Sequence, residues 1–376
     1  MCLLDSSSPQ RRNCGQGWYH GPKDDAKKKA VDKATVNQLI AHGKTSAAAD
    51  GSRLELPEIE APEEGKAAQL SEADKAVLSK FVNPAYLKDD ASLKVREKFE
   101  EESYVLLYDF LLPDVLEELR SAAAQADTEQ RVGRGRLADY KSGYQAGWAP
   151  IGPPHMRRYL RFDGPAGGRG GGSASGPLLK RIQVELMQTA AFARLLARLT
   201  GMVCTSSAGE TRRFRAGLDY TVATYGSMAD HSRLNTVWCL VDDVPDTPAQ
   251  GKGKGKGKVD GSSMGATAVA GAVMSAEDKL AMWAEGEVGG FECYIEAEED
   301  AVAEASDVFR MDDDDGPLLQ VLARSNTLSI VLQDERVMRF VKYVSGSAPS
   351  SRWDVAVDFE IKQDDEADEK EEGGGA

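Results

Sequence analysis

The sequence is poor in paired cysteines, long apolar runs and surplus positive charge, and each shortage excludes something. Its five cysteines, Cys2, Cys14, Cys204, Cys239 and Cys293, include no CxxC pair and no even count, so no disulfide framework is encoded. Cys239 and Cys293 sit inside apolar runs, where a thiol behaves as a small hydrophobe. No run reaches the ~18 apolar residues of a membrane-spanning helix, and the apolar stretch at Met1–Asp5 is too short for a secretory signal. Acids outnumber Lys and Arg by 61 to 46, a formal net charge of −15, which disfavours a general nucleic-acid or anionic-membrane binder. The glycine-rich piece 167–173 has no strand before it and no Gly-Lys-Ser/Thr end, so it is not a phosphate loop. A soluble protein of a reducing compartment, cytoplasm or nucleus, is expected.

What is present is a series of short apolar runs at 220–225, 234–241, 289–295, 327–332, 340–344 and 353–361. Each is rich in β-branched and aromatic residues and bounded by Gly, Pro, Ser or Asp, the pattern of strands. In the last, Trp353, Val355, Val357, Phe359 and Ile361 share one face, with Asp354, Asp358, Glu360 and Lys362 on the other. One buried and one wetted face implies antiparallel sheet, and strands without intervening helices imply a sandwich or jelly roll. A further strand is expected at 104–110, and helices at 71–80, 92–102, 113–127 and 177–200, where Leu and Phe recur at helical spacing. Residues 1–70 lack periodicity and are expected to be disordered, like the acidic tail 363–376. Residues 131–176 and 245–288, the latter with alternating Gly and Lys at 251–258, are expected to be inserts of loop.

Seven stretches, taken in order, resemble one family: 82–87, 99–113, 153–159, 213–221, 289–295, 325–329 and 339–343. Together they resemble the C-terminal domain of the iron- and 2-oxoglutarate-dependent prolyl hydroxylases that modify a small-subunit ribosomal protein. The resemblance covers roughly residues 75–362. It implies a double-stranded β-helix (cupin-like) fold without the metal site, associated with partner recognition and regulated degradation. Iron, 2-oxoglutarate and ascorbate belong to the family's separate catalytic domain. A non-haem iron site needs two His and a carboxylate, the first His and the acid spaced by two on one strand face. The four histidines, His20, His42, His155 and His231, are followed at that spacing by Pro22, Lys44, Arg157 and Arg233. The strand expected at 340–344 contains no His either.

The sequence therefore implies no catalytic, metal or cofactor residue. Arg352 stands where the resemblance places a 2-oxoglutarate arginine, and without iron ligands it reads as a surface charge. Two readings stay open for Tyr220, Tyr225, Trp238 and Tyr343: a vestigial pocket at the barrel mouth, shared with Arg352, or ordinary strand residues. His231 reads as an exposed turn residue, and Arg157, Arg158 and Arg161 as loop charge. Ser173 and Ser329 have no partnered His. The function expected is a non-catalytic module that binds a protein, either a ribosomal or translation-related partner or its own catalytic domain encoded upstream. The alternative is an active iron oxygenase with a scattered site such as His155, His231 and a distant acid.

Overall fold

The computed structural model describes residues 53–60, 68–136, 138–144, 147–167, 174–224, 231–246, 274–296 and 317–362. Expectations for 1–52, the Gly-Lys run and the acidic tail lie outside these, as does Tyr225.

The first elements are β1 (Leu54–Glu55), α1 (Glu72–Leu78), α2 (Asp89–Glu102) and β2 (Tyr104–Leu107). Local chemistry sets their ends. At α1, Ser71 Oγ accepts from the Asp74 amide and Asp74 returns the bond to the Ser71 amide, a reciprocal cap that satisfies two helix-end donors. α3 (Pro113–Glu129) starts on Pro113, whose missing N–H costs nothing in a first turn. Two strands follow, β3 (Trp148–Ile151) and β4 (Arg157–Phe162), so the 131–176 stretch is not simply loop. Within 1–70, β1 pairs with a later strand, and Leu56 and Ile59 pack on the core.

The helix expected over 177–200 is broken into α4 (Ser175–Ile182), a π turn (Gln183–Met187) and α5 (Ala190–Thr200). The break has a visible partner. Gln183, 2% exposed, donates to the Gly209 carbonyl at 2.8 Å and accepts from Thr211 Oγ1 at 2.9 Å. Thr189 recaps the chain by accepting from the Phe192 amide, and Gly201, at φ +79°, ends it.

Eight strands then build the barrel: β5 (Cys204–Phe214), β6 (Tyr220–Thr221), β7 (Arg233–Leu240), β8 (Glu292–Glu296), β9 (Leu319–Val321), β10 (Thr327–Gln333), β11 (Val337–Val341) and β12 (Arg352–Ile361). Before β8, α6 (Ala276–Ala284), capped by Ser275, occupies a stretch expected to be loop. The large sheet runs β2-β10-β7-β12-β5-β4-β3, and the small one β11-β8-β9. β6 lies against β11, where Thr221 Oγ1 accepts from the Val341 amide at 2.6 Å. Every pairing is antiparallel, and the chain passes repeatedly from one sheet to the other. This is the double-stranded β-helix expected from the sequence, with helices on the outer face of the large sheet.

That outer face carries the main core: Trp238, Trp353, Val355, Val357 and Phe359 pack against Phe192, Leu195 and Leu199 of α5. Asn326, in left-handed backbone (φ 54°), pins the start of β10. Its Oδ1 accepts from the Leu111 amide at 2.9 Å and from Trp238 Nε1 at 3.1 Å.

Candidate functional site

Side chains alternate along a strand, so the residues between those facing the helices must face the small sheet. On β12 these include Arg352 and Asp354, 2% and 0% exposed. The polar face of β12 is therefore dry at its start, while Asp358 and Glu360 farther along are half-buried and Lys362 is exposed, and Arg352 is not a surface charge. Arg352 and Asp354 both belong to a buried ionic network that lies between the sheets.

Arg212, cross-strand from Asp354, forks onto that carboxylate at 2.7 and 3.1 Å. Arg352 Nε donates to Asp354 Oδ2 at 3.0 Å, the oxygen that Arg212 Nη2 also reaches. From the small sheet, Glu292 Oε1 lies 3.3 Å from Arg212, 3.1 Å from Arg339 and 3.4 Å from Arg352. Arg339 continues to Asp358 Oδ1 at 3.0 Å, which also accepts from Asn235 Nδ2. Arg352 further donates to the Gly290 carbonyl. Arg212, Arg339 and Arg352 thus face Glu292, Asp354 and Asp358, and the formal charges cancel. Burial alone would raise the Glu292 carboxyl, but the guanidinium groups of Arg339, Arg352 and Arg212 outweigh it and bring its pKa to about 2.

These residues do not suit a ferrous ion. A dication in the interior would meet three guanidinium groups. Oε2 of Glu292, the network's unpartnered carboxylate oxygen, belongs to a carboxylate already claimed by them. Among the described residues no group of three His, Cys, Asp or Glu side chains could hold a metal. His155 is exposed, and His231 pairs with Glu360. Arg352 is not free to receive 2-oxoglutarate, since it is committed to Asp354, Glu292 and Gly290.

Outside the barrel the structure gathers an aromatic patch. Tyr220 and Tyr343 have ring centroids 6.3 Å apart. Arg158, on β4, lies over Tyr140 at 4.8 Å and over Tyr220 at 5.4 Å. The patch rests on a buried ion pair. Arg215 holds Asp219 at 2.8 Å and donates to the carbonyls of Tyr140 and Ser142, fixing the loop that carries Tyr140. Tyr140 is 63% exposed and Tyr343 43%. Of the residues considered together from sequence, Tyr220 and Tyr343 meet here, Arg352 lies in the interior and Trp238 is wholly buried in the helix-side core. Arg157, Arg158 and Arg161 stand on a strand rather than a loop.

Sequence reasoning missed Arg212, Glu292 and Arg339 as a unit. One signal was there: an acid at the centre of the apolar run 289–295, where an uncompensated charge is prohibitively expensive, must have a buried cation beside it.

Comparison with known proteins gives a family match over residues 73–368, to the family described as oxoglutarate and iron-dependent oxygenase degradation C-term. A prolyl 3,4-dihydroxylase of Ostreococcus tauri is 29% identical over 344 residues, covering 90% of this chain and 57% of the relative. A prolyl 3-hydroxylase of Xenopus laevis is 23% identical over 288 residues, covering 72% of this chain and 44% of the relative. The chain thus spans about half the length of these curated relatives. Among solved structures, a Trichoplax adhaerens prolyl hydroxylase bound to a hypoxia inducible factor peptide aligns with a TM-score of 0.36 and 11% identity, over 72% of this chain and 89% of that one.

Proposed function

The chain belongs to the oxoglutarate and iron-dependent oxygenase degradation C-terminal family, and from that premise we propose that it is a non-catalytic, partner-binding module of the prolyl hydroxylase family. One observation carries this reading: between the sheets, where an oxygenase of this fold would need open metal positions, lies a buried, charge-neutral ionic network anchored on Glu292. The partner is a protein, either a prolyl hydroxylase catalytic domain or a component of the small ribosomal subunit. The patch of exposed Tyr140 and Tyr343 with half-buried Arg158 and Tyr220 supports this, because Tyr and Arg are among the residue types that dominate binding energy in protein interfaces.

The test has two arms. Anaerobic titration with Fe(II), followed by aerobic incubation with 2-oxoglutarate, is expected to give no stoichiometric iron binding and succinate only at the blank level. One equivalent of bound iron with 2-oxoglutarate-dependent succinate release would overturn the non-catalytic reading. In the second arm, the catalytic half of the Ostreococcus relative and purified small ribosomal subunits are each offered to the chain. Tyr140→Ala combined with Tyr343→Ala is expected to weaken the productive pairing by about tenfold or more. Unchanged affinity, or no binding to either partner, sinks the partner reading.

A further inference from the structure

On the helix side of the large sheet lies a cavity of about 350 Å³. Its walls come from α3, the turn at 132–136, the chain leaving β7 and the chain entering β12. It is distinct from the barrel interior. Trp353, which lines it, belongs to the helix-side core, whereas its neighbours Arg352 and Asp354 face the other way. Ala123, Val132, Leu240 and Val241 make much of the wall apolar, and Ala124 and Thr128, which also line it, are exposed to solvent.

The polar groups on this wall are unbalanced. Its acids are already engaged. Asp127 accepts from Arg213 at 2.7 Å and from the Ser351 amide and hydroxyl at 2.7 and 2.6 Å. Asp242 accepts from Arg134 at 3.0 Å and from Lys279 at 2.8 Å. The donors are in surplus. Trp353 is 1% exposed, and its indole N–H is buried with no hydrogen-bond partner. Arg120 Nε is likewise buried and unpartnered, although its terminal nitrogens reach Ser325 and Asp243. Arg136 also lines the space, with no acid partner among the described residues. A buried donor without an acceptor is costly, and two such donors belong to residues of this wall, which also carries a cation and an apolar surface.

We propose that this cavity binds a small organic acid. The carboxylate is received by Arg136, Arg120 Nε and the Trp353 indole, and the apolar remainder lies against Ala123, Val132 and Leu240. The chemistry selects an anion over an isosteric neutral molecule, because the unsatisfied groups are donors and the acids are taken. The volume falls at the small end of ligand sites, which run from about 300 to 1,000 Å³, so the ligand is compact rather than a nucleotide.

The probe is 4-phenylbutyrate, added to the full chain carrying 15N-labelled tryptophan, with 4-phenylbutyramide as the neutral control. The Trp353 indole signal, assigned by its loss in Trp353→Phe, is expected to move saturably with a Kd on the order of 1 mM. The amide is expected to bind at least tenfold more weakly. Arg136→Gln should weaken phenylbutyrate at least tenfold with an unchanged melting curve. Ala124→Phe, which fills the cavity from its exposed side, should abolish the shift while the other indole signals stay in place. The proposal is overturned by no saturable movement of the Trp353 signal up to about 20 mM. Equal binding of acid and amide, wild-type affinity in Arg136→Gln, or an unaltered response in Ala124→Phe would each overturn it as well.

Discussion

Glu292→Gln is expected to lower stability by about 3–5 kcal/mol, the range found when one partner of a buried ion pair is removed. In a domain this size that is a fall in Tm of roughly 10 °C. The reason lies in the geometry rather than in the number of ion pairs. Glu292 Oε1 is the single atom on which Arg212, Arg339 and Arg352 converge from both sheets. Gln keeps the shape but offers those guanidinium groups no negative charge, and water cannot replace it in a wholly buried site. Arg339→Met added to Glu292→Gln should restore more than half of the loss, because it removes one of the stranded cations. Scanning calorimetry on the two variants is the check, and a Tm for Glu292→Gln within about 1 °C of wild type would refute the network's role.

Acid should expose the same group. The folded-state pKa of Glu292, about 2, lies below its ordinary 4.5. A carboxyl depressed on folding contributes stability that is whole above the ordinary value and is lost as pH falls through the folded one. Wild type should therefore lose about 3 kcal/mol between pH 5 and pH 2 through this residue alone. Glu292→Gln, with nothing to protonate there, should fall less over that range. Urea midpoints at pH 6, 4 and 3 for both chains measure the difference, and parallel slopes would show that Glu292 does not carry it.

What could be read from the chain, and what could not, divides along the same network. The helix-facing side of β12 was legible because Trp353, Val355, Val357 and Phe359 are apolar and alternate, and burial on that side needs no knowledge of a partner. The start of the opposite side was misread as wetted because Asp354 finds its cation on Arg212, 142 residues away, and no local pattern reveals such a pairing. For the same reason β5 escaped notice. Its Thr, Ser, Glu and Arg look like loop until the topology places Arg212 in the barrel and Arg213 against Asp127 of α3. The π turn at Gln183–Met187 breaks an otherwise regular apolar period so that one side chain can reach β5, and that motive too is tertiary. Histidine spacing and the order of motifs, being local, could be read directly.

Gly289→Ala should be as damaging as any core truncation, at about 3–5 kcal/mol, for two reasons that can be separated. Gly289 has φ +69°, where an L side chain costs roughly 1–2 kcal/mol. In addition, a Cβ built there collides with the backbone carbonyl of Tyr343. Backbone cannot turn aside as a side chain can. The segments on either side are stitched together by Gly290 N to Lys342 O at 3.1 Å, Lys342 N to Phe291 O at 2.9 Å and Ser345 N to Val288 O at 2.8 Å. Relieving the collision must stretch these bonds and shift the Gly290 carbonyl that receives Arg352. Gly135→Ala isolates the conformational part, since Gly135 has φ +72° and a Cβ there meets nothing within 4 Å. Its expected loss is about 1 kcal/mol. Chemical denaturation of the two variants side by side decides the matter: similar losses would mean that the close approach of residues 289 and 343 is not what holds the loop before β8 against the end of β11.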